Sequence, residues 1–475
     1  MTNEQNAANA LEFKSGTYPQ TGIYTSQMVS LMDAVEPSVY AKLISRYGKQ
    51  FDNLMMLFRS MGREEAIAND EHTQWEENWI HDTLTVKSTV TQAVAKAALE
   101  VALDADYVYA RVGDIITLPG YKERQVIVTA KNTGTYTITI KPVSDFAIGT
   151  ITAGDTLIIT NGAFSEGSDQ PEGTIVGQTP RYFQAQIFKE STGLTGTQFV
   201  NQKWFKVIDD GRSLPGWYTT GISRAEYLLG LKIDGAFSYG EHNHEDLIDP
   251  VTGEQIKTTR GIAPWIRDLG LSVGTEGGFD LDMLEEVALY MKRQGIDSDM
   301  AMLLCGNIFA NQIDNEVYDF AAGAGGGIDG LTKVESTLFK GNRELSMSLN
   351  IKTITRSGIT IAVRPHGNWS NPKTYGAAGY NMEKGAMLFP LSTIKDAKTQ
   401  VQIPNIGIKY RAMGDYSRRF ETWSLKGAGG GLYVKSVDRA DFYLRTHQML
   451  TFSKANQAVL FDPNLAYGGG RLPQS

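Results

Sequence analysis

RYFQAQIFKESTGLTGTQ, residues 181–198, is extended chain in this reading, and its flanks decide the kind of fold it belongs to. Before it stands NGAFSEGSDQPEGTIVGQTP (161–180), a turn-rich connector in which Gly, Pro, Ser and Asp recur. After it a helix is predicted. Ser223-Arg-Ala-Glu226 fits a capping box, whose side chains satisfy the first free amides of a helix. Tyr227, Leu228, Leu231 and Phe237 extend that helix. Gly230, Gly235 and Gly240 weaken it in isolation but allow close packing.

Upstream, residues 25–65 are predicted helical, with Met28, Leu31, Met32 and Val35 on one stripe. Pro37 restarts the helix, and Leu43, Phe51, Leu54, Met55 and Phe58 continue it. HTQWEENWIHD (72–82) hands over to strands and turns that run to about Thr174. Gln125–Thr129 and Thr135–Ile140 alternate polar and apolar residues around an Asn132-Thr133-Gly134 turn. Gly113-Asp114-Ile-Ile and Gly154-Asp155-Thr-Leu each open a strand after a glycine, an internal echo. The block has the pattern of a small antiparallel domain inserted into a larger fold.

Downstream, Asp280 is placed to cap a helix with Met283, Leu284, Val287, Ala288 and Met291 on one side. Lys292 and Arg293 sit in its last turn and Gly295 just beyond, which suits the dipole and the cap. Met300–Leu304 is a short buried strand and Ile308–Phe320 a second helix. A mainly β tail follows, with strands expected at Met347–Thr355, Ile359–Val363, Met387–Leu391, Ile408–Met413, Arg419–Ser424 and Asp441–Gln448. Helices and strands in this irregular order define an α+β class.

Composition narrows the function. Of the 475 residues 41% are hydrophobic, enough for a packed core. No run approaches a membrane span, and the polar N-terminus lacks the pattern of a secretory signal. Cys305, the single cysteine, lies in an apolar run and reads as a small buried hydrophobe. A net charge of −8 argues against a dedicated DNA-binding module, whose grip comes from clustered Lys and Arg.

No constellation in the chain has the pattern of a catalytic centre. GAGGGIDG (323–330) satisfies G-x-G-x-x-G from Gly325, but a dinucleotide turn follows a strand and opens a helix. Here NQIDNEVYDFAA precedes it, helical in pattern, and a second GAGGG stands at 427–431 between strands. Both runs are therefore read as loops. Glu241-His-Asn-His244-Glu245 offers two imidazoles at alternate positions, as a metal site on a strand does, yet falls in a loop. Asp280, Asp282, Glu285 and Glu286 are explained by capping and a solvated helix face. No cofactor and no metal ligand set is expected.

The polar arm, the long extended stretches and the β block show no obvious core of their own, which suits a subunit covered by neighbours. At Asn161–Thr197 the sequence resembles the connector and extended segment of tailed-phage major capsid proteins, with their "EGS" turn and "QIF…TGT" strand. The resemblance continues at RGIAPWI (260–266), LLCG (303–306) and IKYRAMGDYSRRFETWSL (408–425). It covers most of the chain from about residue 160, plus the preceding helical arm. Among subgroups the chain is similar to capsid proteins of crAss-like gut phages.

The resemblance implies a Hong Kong 97-type capsid fold. The implied parts are an N-terminal arm (1–26), a helical lead-in (27–82) and a β-rich insertion with the E-loop (83–174). An E-loop return strand (175–210), a spine-helix segment (211–259), an axial domain (260–390) and a return to the peripheral domain (391–475) follow. Ser223, Glu226, Leu231 and Phe237 fall on the implied spine helix. Arg181, Tyr182, Phe183, Gln186 and Phe188 become candidate inter-subunit contacts, and Gly325, Gly326 and Gly327 a loop near a capsomer axis. The implied partners are further copies of the chain, as a homo-oligomer, with portal, scaffold and decoration or head-fibre proteins. Packaged DNA is enclosed without strong specific binding, no membrane is involved, and assembly takes place in the host cytoplasm. The implied role is structural, not enzymatic. The 21 tyrosines, 7 tryptophans and scattered acidic pairs keep open a carbohydrate-binding or hydrolytic β-rich protein, which predicts a compact monomer with an aromatic cleft.

Overall fold

A computed structural model describes residues 53–465, apart from 78–82, 105–108, 120–123, 172, 174–177, 198–205, 210–211, 244–246, 277, 297, 324–351, 378, 396–401 and 429–433. The predicted helical stripe from Met28 to Phe51, the strand residues before Lys352, and His244 lie outside the described residues. Two compact units emerge: His72–Tyr182, and the rest of the chain on either side of it.

In the larger unit the chain opens with helix α1, Leu54–Ser60, capped by Asn53, whose side chain accepts from the Met56 amide at 2.8 Å. Helix was predicted to residue 65, but Glu64–Ile67 forms strand β1. It is recruited by a parallel ladder with β3, Ile406–Met413, a long-range pairing that overrides local preference. The sheet runs in the order β1, β3, β5 (Arg439–Phe452), β2 (Gln186–Thr195), while β4 (Glu421–Lys426) also pairs with β5. The opening stretch is thus a ten-residue edge strand, in regular antiparallel register with β5 from Gln186↔Gln448 to Thr195↔Arg439.

A second sheet takes the order Leu271–Gly274, Val459–Asp462, Ala386–Pro390, Met300–Cys305, Ile359–Pro365, Lys352–Arg356. Its central strand shows why the sequence is a continuous apolar run. Met302 and Leu304 point into one core while Ala301, Leu303 and Cys305 point into another. A strand buried on both faces has no polar alternation to display. One core gathers α1, helix α2 (Gly216–Tyr239) and helix α3 (Ile262–Leu269) against the first sheet. The other gathers helices α4 (Leu281–Arg293) and α5 (Asn307–Gly323).

Helix α4 matches its sequence signals. Asp280 accepts from the Asp282 amide at 3.2 Å, Met283, Leu284, Val287, Ala288 and Met291 are buried, and Gly295 turns left-handed beyond the end. Cys305 is buried. Helix α2 departs from its prediction. It begins at Gly216, directly after Pro215, so Ser223 and Glu226 lie exposed inside the helix and cap nothing. Its buried stripe is Ala225, Leu229, Ile233 and Phe237, whereas Leu228 is 44% exposed. The packing partners, not the local pattern, select the inward face. Close packing at the helical glycines holds: a Cβ on Gly230 would lie 2.8 Å from the side-chain Nδ2 of Asn53, and on Gly235 2.7 Å from the Tyr375 hydroxyl.

In the smaller unit, six strands form an antiparallel sheet ordered Thr83–Thr85, Thr156–Gly162, Asp114–Thr117, Gln125–Asn132, Thr137–Pro142, Leu99–Ala102. Strands Glu71–Glu77 and Gln178–Gln184 pair, which carries the unit beyond the 83–174 limits read from sequence. The expectation that this block lacks its own core is corrected. Leu84, Val86, Val101, Leu103, Ile116, Val126, Val128, Ile138, Ile140 and Leu157 form one. The Gly-Asp echo is structural. Gly113 and Gly154 both adopt positive φ, and Asp114 and Asp155 each accept from the amide three residues back, at 2.8 and 2.7 Å. The two strands that these turns launch are antiparallel neighbours.

Candidate functional site

A groove of about 1400 Å³ lies in the larger unit. One wall is the start of β2, Gln186–Lys189, and the flank of α2 from Leu231 to Gly240. The other wall is the chain Thr252–Lys257 with Tyr375 and Tyr380. The Thr252–Lys257 wall belongs to a small hairpin closed by the Ile248–Gln255 bridge. Asn243 anchors it, its amide donating to the carbonyls of Leu247 (3.2 Å) and Ile256 (2.5 Å). Leu247, Ile248, Val251 and Ile256 are nevertheless exposed, Val251 at 89%.

Beneath the groove a polar hub fixes α2. Asp234, fully buried, accepts from the Leu54 amide (3.1 Å) and from Asn368 Nδ2 (3.0 Å), and lies 2.8 Å from His366 Nε2. One carboxylate thereby ties α1, α2 and the turn after Ile359–Pro365. Aromatic rings lead outward from it, His366 to Trp369 to Tyr239 to Tyr375 to Tyr380, with centroid separations of 4.8–6.3 Å. Burial pushes the Tyr239 hydroxyl well above its ordinary value and raises that of Tyr375, so both stay protonated. Neither acts as a base. The arrangement holds shape and has no nucleophile activated by a neighbouring base.

The sequence-selected residues divide. Phe183 and Phe188 are corrected as contact candidates: both are buried in the chain's own core, against Trp265 and Phe237. Gln186 is engaged internally, its side-chain Oε1 accepting from the Thr259 amide at 3.2 Å. Arg181 pairs with Glu76 at 2.9 Å, and Tyr182 stays 60% exposed. Leu231 lines the groove, and Phe237 packs in the core. Gly325, Gly326 and Gly327 lie outside the described residues. Helix α5 leads toward that run, so no strand feeds it, while Gly427 and Ala428 of the second run follow β4. Among the described residues no group of three His, Cys, Asp or Glu is placed to hold a metal, and no helix is long and apolar enough to cross a membrane.

Sequence reasoning missed a second exposed apolar surface. Met413, Tyr416, Phe420, Trp423 and Leu425 follow one another along β3, its short return and β4, Met413 at 78% exposure. Trp423 stacks on Tyr443 at 5.4 Å, and Arg445 lies over the indole while paired with Glu421 at 2.6 Å. The signal available was the density of large apolar residues within a polar, turn-bearing stretch.

No family model and no curated protein matches the sequence. Among solved structures, the chain is similar to one described as the capsid of a native GTA particle, with 7% identity and a TM-score of 0.42 over 93% of this chain and 99% of that one. It is also similar to the capsid of cyanophage P-SCSP1u (9% identity, TM-score 0.41, 95% and 97% covered). A chain from Mycobacterium phage Adephagia matches at 12% identity and a TM-score of 0.41, with 94% and 99% covered. Likeness at this level leaves function to the residues themselves.

Proposed function

We propose that this chain is the major capsid subunit of a tailed double-stranded-DNA phage, assembling as pentamers and hexamers into an icosahedral head. The observation that carries this reading is the ordered series of resembling segments, at 161–197, 260–266, 303–306 and 408–425. The exposed apolar hairpin at 247–256 and the apolar surface at 413–425 support it, because patches of that kind call for cover by another chain. In this reading α2 is the spine helix and residues 260–390 the axial domain. The insertion and the strands that frame it make the E-loop region. The glycine run at 323–330 is a loop at the capsomer axis, where bulk is penalised.

Many copies, each meeting several neighbours, hold a shell with only moderate individual contacts. An acidic subunit suits a DNA container, since tight phosphate binding by the wall hinders packaging and ejection. Maturation is a rigid-body and loop rearrangement, with no chemical step, and portal, scaffold and decoration proteins are the partners. Assembly takes place in the bacterial cytoplasm. Electron microscopy of the expressed chain, alone and with the phage's scaffold, tests the proposal. Rings, tubes or shells are expected. A persistent monomer that binds a glycan in an aromatic cleft overturns it in favour of the carbohydrate-binding alternative.

A further inference from the structure

The three-stranded layer β4–β5–β2 has no further strand on either side among the described residues, although at the end of β4 the Lys426 carbonyl accepts from the Val434 amide at 2.9 Å. Among the described residues β2 pairs only with β5, and so does β4, on the opposite side. Each edge carries charged side chains, Lys189 and Glu190 on β2 and Glu421 and Lys426 on β4, but lacks the proline or bulge that interrupts a ladder. Neither strand contains proline, and both ladders run without a register shift. Strand β4 is exposed from Thr422 to Lys426, on both faces, which is unusual for a strand with a bulky Trp423 and Leu425. Strand β2 is ten residues long, and its free edge begins on the groove of about 1400 Å³.

We infer that these edges pair with each other between copies: β4 of one copy adds to the free edge of β2 on the next. The inference deepens the capsid reading and rests on it. An unpaired strand edge recognises extended backbone, so the chemistry of the occupant is that of a β-strand. A second copy brings such a strand already formed, its residues from Thr422 to Lys426 exposed. Both β2 and β4 run antiparallel to β5, so they are parallel to each other within one copy. A neighbour that continues the sheet with its strand directions unchanged presents its β4 parallel to β2. The contact joins two different surfaces, so it propagates from copy to copy and closes as a ring or continues as a filament. A pair of copies does not satisfy it.

Cysteine pairs test this in the full chain. Cys305, the one native cysteine, is buried and leaves the background clean. Lys189 and Ser424 are exposed, so Lys189→Cys and Ser424→Cys leave the fold undisturbed. Within one copy they stand two strands apart, about 10 Å or more, beyond the roughly 7 Å that a disulfide spans. Ile187→Cys and Ser191→Cys, each with Ser424→Cys, cover neighbouring registers. After assembly and mild oxidation, at least one double variant is expected to give a ladder of dimers, trimers and higher species on a non-reducing gel. The single variants give no ladder. Shells that form normally but show no ladder at any register overturn the strand pairing and leave the capsid reading standing. Dimers without higher species overturn the head-to-tail arrangement. Failure of every variant and of the parent chain to form any particle overturns the capsid reading itself, and the inference with it.

Discussion

At the scale of single residues, the buried carboxylate of Asp234 matters most. Three donors converge on it from α1 and from the turn bearing His366 and Asn368, and none has water to fall back on. Asp234→Ala is expected to destabilise the protein by on the order of 3 kcal/mol, read as a lower denaturant midpoint. Asp234→Asn, which keeps one acceptor, should cost less. His447 makes a pH-dependent contribution. Burial pushes its imidazole below the ordinary 6.5; Asp70 and the Ala185 carbonyl oppose this, while Arg418 and Arg411 act in the same direction as burial. As pH falls, the unfolded chain takes up this proton before the folded one does, so the contribution is complete above about 6.5 and is lost below it. Urea midpoints at about pH 7.5 and 5.5 check the sign. The parent should lose more stability on acidification than His447→Gln, and an equal loss would assign the acid sensitivity elsewhere.

At the scale of the element, α2 shows how packing selects a face. Leu228 and Leu229 are sequence neighbours, yet Leu229 is 1% exposed and Leu228 44%. Leu229→Ala should cost about 2–5 kcal/mol, whereas Leu228→Ala should stay near 0.5 kcal/mol, roughly the range of surface changes. Thermal melts of the two variants distinguish the faces directly. Ser223→Ala is expected to be neutral within about 0.5 kcal/mol, because the serine lies mid-helix. Asp280→Ala removes a formed cap and should cost about 1 kcal/mol. The contrast between these two variants separates a capping pattern from a cap. Asp280 was legible because chain direction changes there whatever surrounds it. Ser223 was not, since the helix already starts at Gly216, directly after Pro215.

At the scale of the whole molecule, the unit His72–Tyr182 has a core of its own and a sheet closed by local pairings. Expressed alone, residues 72–182 should fold and unfold cooperatively; circular dichroism and dispersed amide resonances check this, and a molten fragment would contradict it. The β insertion was legible because its strands alternate and its Gly-Asp turns repeat. Its independence was not, since a core is a sum of side chains from many strands. The groove was invisible in sequence for the same reason: its walls come from Gln186–Lys189, from α2 and Gly240, from the hairpin before Lys257, and from Tyr375 and Tyr380. No local pattern links segments so far apart.

The sequence by itself determined the α+β class, the α4 cap, the short buried strand at Met300–Leu304 and the turn-bounded strands of the insertion. Each follows from interactions within a few residues, where propensity and periodicity act. Only the tertiary structure decided that Glu64–Ile67 becomes a strand, that Phe183 and Phe188 turn inward, that α2 buries Leu229 in place of Leu228, and that β2 and β4 are left with open edges. Those outcomes depend on which distant surface offers the larger apolar contact or the unpaired ladder, and that is a property of the assembled fold.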